Sequence, residues 1–206
     1  MSLPDKYFDD LYADSTDPWQ LGSRWYERRK YAITMALLPN ERYRHAFEPG
    51  CSIGVLTEHL SARCDHVTAT DIAEVALGQA AIRIRKCGRS DAVTLLQRSF
   101  DMPWPATDFD LVMISEVAYY FTAATLRAVL DRELPRLGPN VTVVAAHWRH
   151  PVADYPLSGD DANAVIGATA GLRRIGGYCD DDVVIDVFDN GTAQSVAVRT
   201  QVPGAH

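Results

Sequence analysis

The chain has no apolar run that approaches the roughly 20 residues a helix needs to cross a bilayer. It is also short of basic residues, because 20 lysines and arginines stand against 27 acidic residues, for a formal net charge of −7. General affinity for nucleic acid or anionic membranes needs the opposite balance of charge. The composition therefore argues against both as partners, and the run 24–30 is the one candidate basic patch.

Cysteine is scarce and scattered, with four residues and no CxxC pair. Such spacing is typical of reduced thiols in a cytoplasmic protein, and of neither a disulfide framework nor a zinc site. His147 and His150 form an HxxH spacing, but no third ligand accompanies them, so we predict no metal. Repeats and low-complexity segments are absent, and 206 residues suit one domain.

Strand-like segments alternate with helical ones over the first two-thirds of the chain, which is typical of a parallel sheet. Near the end, the β-branched segments 183–188 and 195–202 flank an Asp-Asn-Gly turn and predict an antiparallel hairpin. We predict an α/β fold, doubly wound and Rossmann-like, with a mostly parallel seven-stranded sheet and an antiparallel strand near the C-terminus. Residues 1–206 form one domain in this prediction, with an N-terminal lid or helical segment at 1–40 and the core at 41–206.

The first predicted strand ends at Glu48 and enters a glycine-containing turn, residues 49–54. Gly50 and Gly54 allow a ligand to approach the backbone closely, since glycine has no side chain to hold it away. The helix that starts near Val55 offers free N–H groups to a carboxylate. Taken alone, such a turn is also an ordinary connection between a strand and a helix.

Acidic residues follow the next two strands. Asp71, with Ile72 after it, ends the second strand, where a carboxylate can accept both ribose hydroxyls; a helix cap is the alternative. Asp101 follows the third strand and can accept from an adenine amino group while Phe100 packs on the ring, with Ser99 beside it. A plain loop aspartate is the alternative there. Candidate ligand-binding residues thus follow three consecutive strands, and this recurrence favours a nucleoside cofactor.

These motifs, together with Phe109-Asp110-Leu111-Val112, resemble the first motifs of class I S-adenosylmethionine-dependent methyltransferases. Ser52 stands where the first motif usually has glycine. The resemblance implies S-adenosyl-L-methionine as cofactor and S-adenosyl-L-homocysteine as product. A NAD-dependent dehydrogenase is the rival interpretation, but its GxGxxG fingerprint is missing. A nucleotide-binding module without catalysis is a further alternative.

A more specific resemblance is to the nodulation protein S (NodS) family. It is carried by Asp17-Pro18-Trp19, by the Gly50-Cys51 pair in the turn, and by Ser-Glu-Val-Ala-Tyr-Tyr-Phe at 115–121, and it covers roughly residues 15–190. The resemblance implies N-methylation of an amino group; NodS-like enzymes act on de-N-acetylated glucosamine at the non-reducing end of a chitooligosaccharide. The segment 146–151 departs from the family pattern, so the acceptor can be another small molecule.

The N-terminal segment is expected to fold over the cofactor, with Arg29 and Lys30 attracting the methionine carboxylate. A solvated helix face over 28–30 is the alternative. The cofactor-binding residues that we predict are Trp19, Arg29, Glu48, Gly50, Cys51, Ser52, Gly54, Asp71, Ile72, Ser99, Phe100, Asp101, Ser115 and Glu116.

Two residues are candidates for the catalytic base. Glu116 follows the fourth strand, and burial is expected to raise its pKa towards the useful range; capping the loop or pairing with an arginine is the alternative. His147 ends the fifth strand, where a structural role is the alternative. An O-methyltransferase that uses His147 without a metal is the alternative function. Tyr119, Tyr120 and Trp148 are expected to form an acceptor wall, unless they only pack the core.

Overall fold

A computed structural model describes residues 3–191 and 194–205. Within these ranges the chain forms a seven-stranded sheet with the order β3-β2-β1-β4-β5-β7-β6. Strand β7 runs antiparallel to both of its neighbours, whereas the remaining adjacent pairs are parallel. The predicted Rossmann-like fold is confirmed. The strands are β1 Tyr43–Pro49, β2 Cys64–Asp71, β3 Val93–Gln97, β4 Leu111–Ser115, β5 Thr142–Trp148, β6 Arg173–Cys179 and β7 Val183–Asp189.

Helices cover both faces of the sheet and the N-terminal segment adds two more. They are α1 Asp5–Asp14, α2 Trp25–Ala36, α3 Val55–Arg63, α4 Glu74–Lys86, α5 Ala123–Glu133, α6 Gly159–Gly167 and α7 Val196–Arg199, with short 3-10 turns at Ser90–Ala92, Ala118–Tyr120 and Leu134–Arg136. In the described part of the chain, none of these helices has both the length and the apolar character of a membrane span.

Strand β4 shows how the sequence builds the core. All five of its residues are buried, because a central parallel strand is covered on both faces. Side chains alternate across the sheet, so Met113 packs in the core layer that includes Leu60 of α3. Val112 and Ile114 pack in the other layer, which is closed by α5 and α6.

The C-terminal part differs from the prediction. The segment 195–202 was expected to pair as a strand, but it contains the short helix α7, whose N-cap Ser195 accepts from the Val198 amide. The partner of β7 is β6 instead, and the predicted helix over 162–172 ends early, because α6 stops at Gly167. Asp180 closes the β6–β7 turn by accepting from two backbone amides, and this hairpin replaces the predicted one.

Candidate active site

A cavity of about 700 Å³ lies at the carboxyl ends of β1, β2 and β4, where a doubly wound fold places its ligands. The turn after β1 forms one wall and the N-terminal segment forms another. Tyr12 of α1 is hydrogen-bonded to Ser52 in that turn, and the Leu3 amide donates to the carbonyl of Tyr120 at 2.9 Å. The N-terminal segment, from Leu3 onwards, therefore contributes to the same cavity as the sheet, which brings distant parts of the sequence together.

The turn after β1 is closed around Asp71. One oxygen of this carboxylate accepts from the Ser52 amide at 2.8 Å, and the other accepts from the Ala73 amide at 3.0 Å. Ser52 has a φ of +48°, in the left-handed region, which explains why glycine is usual at this position. Gly50 has a φ of +71° as well. Each Asp71 oxygen retains a further lone pair that a ligand hydroxyl can use.

Glu48, at the end of β1, gives a test of whether the cavity fits S-adenosylmethionine. Its Oε2 is buried and, within the described part of the chain, accepts no hydrogen bond. Burial raises the pKa of Glu48 to about 8. An unpaired buried carboxyl oxygen is costly, and the α-ammonium of the methionine moiety is the kind of partner it lacks. The residues present therefore fit this cofactor.

Residues after β3 also line the cavity, and their role on the adenine side stays a prediction. Ser99 donates to Asp101 at 2.6 Å, which fixes the side chain of an exposed residue. Phe100 is buried, with its ring centroid 5.9 Å from that of Trp104 and 5.7 Å from that of Phe121. Phe100 therefore packs in the hydrophobic core and also lines the cavity.

A buried ionic cluster, Glu27–Lys30–Glu116, forms the inner wall. The Lys30 ammonium lies 2.8 Å from Glu27 Oε2 and 2.6 Å from Glu116 Oε1. It also lies 5.3 Å from the ring centroids of Tyr26 and Tyr31. Burial works against the charge on Lys30, but the two carboxylates outweigh it and raise the pKa of the ammonium. Lys30 is therefore a cation in the wall of the cavity.

Glu116 differs from its prediction in the direction of its pKa. Burial, the largest influence, raises the pKa, but the Lys30 ammonium, His147 and hydrogen bonds from Lys30 and Tyr119 together outweigh it. The pKa of Glu116 consequently lies below its ordinary value, and the expected increase towards the range of a base is wrong. Its Oε2 accepts from the Tyr119 hydroxyl at 2.7 Å and from the Trp148 amide at 2.9 Å, so three donors hold the carboxylate.

His147 is placed behind the cavity wall rather than in it. It is fully buried; its Nε2 accepts from the Ala118 amide at 3.2 Å, and its Nδ1 bonds to Asn163 at 2.7 Å. Burial lowers the pKa of His147, which keeps it neutral with the proton on Nδ1. Because the lone pair of Nε2 is used by a backbone amide, the expected role as a base is replaced by holding the loop after β4.

Two predicted cofactor residues also lie outside the wall. Arg29 points to the β6–β7 turn, where it pairs with Asp180 at 2.8 Å and donates to Tyr178, while its neighbour Lys30 faces the cavity. Gly54 is the N-cap of α3 and lets that helix approach Ala80 of α4. The expectation that Arg29 attracts the cofactor carboxylate is corrected accordingly.

The remaining predicted residues are brought together in the cavity wall. They are Trp19, Glu48, Gly50, Cys51, Ser52, Asp71, Ile72, Ser99, Phe100, Asp101, Ser115, Glu116, Tyr119, Tyr120 and Trp148. Sequence reasoning missed Tyr12, Tyr26, Glu27, Tyr31 and Tyr155, which line the cavity too. The signal for part of this set was present, since Glu27, Lys30 and Tyr31 have the spacing of one helix face.

Comparison with known proteins gives a consistent set of relatives. The sequence model of the family described as Nodulation protein S (NodS) matches residues 7–185. Nodulation protein S of Azorhizobium caulinodans is 31% identical over 187 residues, which cover 84% of this chain and 86% of that protein. Nodulation protein S of Bradyrhizobium diazoefficiens is 27% identical over 138 residues, which cover 66% of this chain; the chain spans 65% of that relative, just under two-thirds.

A solved structure has the same fold. It is the crystal structure of N-methyltransferase NodS from Bradyrhizobium japonicum WM9 in complex with S-adenosyl-L-homocysteine, with a TM-score of 0.75 and 21% sequence identity. The match covers 90% of this chain and 97% of that chain. At this identity, the likeness establishes the arrangement of strands and helices.

Proposed function

The chain belongs to the nodulation protein S (NodS) family, and we propose that it is an S-adenosylmethionine-dependent methyltransferase that N-methylates the amino group of a small molecule. An amino sugar is the acceptor we favour, such as the de-N-acetylated end of a chitooligosaccharide. When bound, S-adenosylmethionine supplies a methyl group that its sulfonium activates. The names of the relatives support the reaction type, and the cavity supports the nature of the acceptor.

The observation that carries the proposal is the position of the Glu27–Lys30–Glu116 cluster in the same cavity as Glu48 and Asp71. Two carboxyl groups share one ammonium, so the cluster does not repel a cation. Glu116 retains 21% exposure of its side chain, which leaves room for a further donor. Its pKa is depressed, so it is ionised at neutral pH and suits an amine that arrives as an ammonium ion.

The protein's contribution, in this proposal, is chiefly alignment of the amine. Glu116 holds the ammonium ion by charge and hydrogen bond, and the rings of Tyr26 and Trp148, with centroids 5.1 Å apart and nearly perpendicular, form an aromatic surface beside it. Because only the neutral amine has a lone pair, the ammonium would lose one proton to solvent before the methyl group is transferred. Positioning of this kind can contribute about 7–11 kcal/mol to a bimolecular transfer. The depressed pKa makes Glu116 a poor proton acceptor, so we assign it to binding and orientation of the amine.

O-Methylation depends on His147 as the base, and His147 is engaged by the Ala118 amide. No specific observation favours that alternative. The acceptor wall that the proposal uses is Tyr119, Tyr120 and Trp148, with Tyr119 and Tyr155 stacked at 4.9 Å between centroids.

The first experiment is calorimetry with S-adenosylhomocysteine and, separately, NAD. We expect binding of the former; NAD binding without a signal from S-adenosylhomocysteine would contradict the cofactor assignment. The second is a methyl-transfer assay on a chitooligosaccharide de-N-acetylated at its non-reducing end, with its fully N-acetylated counterpart as the matched acceptor. Simple amines and alcohols complete the panel. Methylation of hydroxyls alone would refute the proposal.

A variant pair sharpens the assay. Glu116→Gln keeps the size of the side chain but removes its charge, and we expect the KM for the amine to rise by about tenfold or more, an effect of about 1.4 kcal/mol. Glu58→Gln is the control, because Glu58 pairs with Arg83 away from the cavity wall. An unchanged KM in Glu116→Gln would remove Glu116 from the acceptor site.

A further inference from the structure

We infer that Lys30 is a positioning residue of the acceptor site, which keeps Glu116 charged and aimed at the amine. The inference rests on the proposed function. It adds to the acceptor site a residue of α2, a helix that precedes the Rossmann-like part of the chain. Lys30 acts here through Glu116 and not by contact with the amine.

Lys30 is buried although it is charged. The residue is 1% exposed, yet it carries a charge between Glu27 and Glu116. Burying an ammonium group is costly unless carboxylates and hydrogen bonds compensate for the lost water. Packing α2 against the sheet does not require such a group, since an apolar side chain of similar volume would fill the space. The charge is therefore better explained by what it does for its neighbours.

The backbone of Glu116 has an unfavourable conformation. Its φ of +55° is in the left-handed region, which is unfavourable for a residue with a side chain. The surrounding structure must compensate for this strain, and three donors do so: Lys30, the Tyr119 hydroxyl and the Trp148 amide. Lys30 is the charged member of the three. Removing its charge leaves two hydrogen bonds that orient the carboxylate but takes away the counter-ion.

The titration of Glu116 follows from every group that faces it. These groups are Tyr26, Glu27, Lys30 and Tyr31 of α2, Tyr119 and Tyr120 after β4, His147 of β5, and Tyr155 before α6. Glu27 disfavours a second negative charge, whereas His147 and the hydroxyl of Tyr119 favour it. Without the ammonium of Lys30, burial is opposed by these weaker influences alone, so the pKa of Glu116 rises and the carboxylate is protonated as the pH falls.

The test uses Lys30→Met, which keeps the approximate volume, and Lys30→Gln, which keeps a hydrogen-bond donor without the charge. The probe is the chitooligosaccharide de-N-acetylated at its non-reducing end, with KM and kcat measured across pH. In both variants we expect the KM to rise about tenfold at neutral pH and to rise further as the pH falls. The pH below which KM increases, the acidic limb of the profile, should shift to a value about one to three pH units higher. Lys30→Arg, which retains the charge, should keep the limb near its wild-type position.

Two controls separate this role from a structural one. Calorimetry with S-adenosylhomocysteine should give dissociation constants within about threefold of wild type for every Lys30 variant that folds, since the Lys30 ammonium is engaged by Glu27 and Glu116 and the proposed cofactor contacts are those of Glu48, Asp71 and the turn after β1. Arg136→Met removes a cation from buried Glu133, and neither residue lines the cavity, so this variant should leave the pH profile unchanged.

The outcomes are distinguishable. A wild-type enzyme that binds S-adenosylhomocysteine but methylates neither this probe nor the other amines overturns the proposed function and the inference together. An active wild type with Lys30→Met or Lys30→Gln folded and unchanged in KM profile overturns the inference alone. The inference is also overturned if Lys30→Arg shifts the acidic limb of the KM profile to higher pH as far as the uncharged variants do. The charge of residue 30 would then not be the cause of the shift.

Discussion

Replacing Gly54 by alanine tests how closely α3 must approach α4 to shape the cofactor turn. Gly54 has a φ of +75°, a conformation that costs a residue with a side chain about 1–2 kcal/mol. A Cβ there would also lie 2.9 Å from the Cβ of Ala80 and 3.0 Å from its Cα, closer than real contacts allow. Overpacking of this kind costs about 1–3 kcal/mol. We therefore expect the free energy of unfolding to fall by about 2–5 kcal/mol in Gly54→Ala.

The control for this prediction is Gly88→Ala. Gly88 has a φ of +71°, close to that of Gly54, but a Cβ at Gly88 meets no atom of the described chain within 4 Å. The control therefore carries the backbone cost alone, and the difference between the variants isolates the contact with α4. Urea unfolding, with unchanged m-values as a check on two-state behaviour, measures both. Equal losses of stability in the two variants would refute the packing argument.

A double variant tests the mechanism further. Ala80→Gly removes one of the two close atoms but leaves the Cα, so it should restore part of the stability lost in Gly54→Ala. Glycine in the interior of α4 itself costs about 0.5–1 kcal/mol, which the single variant measures. The coupling energy of the cycle should favour the double variant. If the changes in unfolding free energy of the two single variants simply add, the overlap between the new Cβ and Ala80 is relieved in another way, by movement of α3 as a whole.

Three further predictions concern the cavity. Asp71→Asn leaves one carbonyl oxygen to accept from the Ser52 and Ala73 amides, so the dissociation constant for S-adenosylhomocysteine should rise about tenfold or more by calorimetry; an unchanged constant would exclude Asp71 from the site. Burial raises the pKa of Glu48 from 4.5 to about 8, so its contribution to stability is complete below pH 4.5 and is lost as the pH rises to about 8. Glu48→Gln should flatten that part of the unfolding profile of the ligand-free protein, and an unaltered slope would contradict the assignment. His147→Gln should lower kcat by disturbing the loop after β4 while the pH profile keeps its shape; loss of a titration near the ordinary pKa of histidine would restore His147 as a base.

The sheet was predictable where burial leaves a mark on the sequence. Strand β4 is an unbroken apolar run, since both of its faces are covered. Strand β6 was missed because it contains Gly176 and Gly177, lies at the edge and is only partly buried, so neither an apolar run nor alternation appears. The segment 195–202 has β-branched residues, but Ser195 caps a helical turn there, which local propensity did not reveal.

It was predictable, for a topological reason, that the residues after β1, β2, β3 and β4 would line one cavity. These residues follow parallel strands, and the carboxyl ends of such strands meet at one edge of the sheet, so position along the chain determines position in space. Residues on α2 carry no such relation. The spacing of Glu27, Lys30 and Tyr31 indicates a shared helix face, but it does not identify what that face contacts. The run of charges at 28–30 is equally consistent with a solvated helix face, and Arg29 does pair with Asp180 outside the cavity wall.

The pKa of Glu116 shows what kind of information is missing from local sequence. Its neighbours in the chain are apolar and aromatic, and from them alone burial should raise the pKa. The counter-ion, Lys30, is 86 residues away and reaches the carboxylate only because the fold brings α2 next to the loop after β4. The charge state of an acceptor site is thus set by contacts between segments that can change independently of the cofactor motifs. A family can therefore keep its cofactor while its acceptor changes, and the determinants of the acceptor have to be sought in α2 and the loop after β4 rather than in the glycine turn.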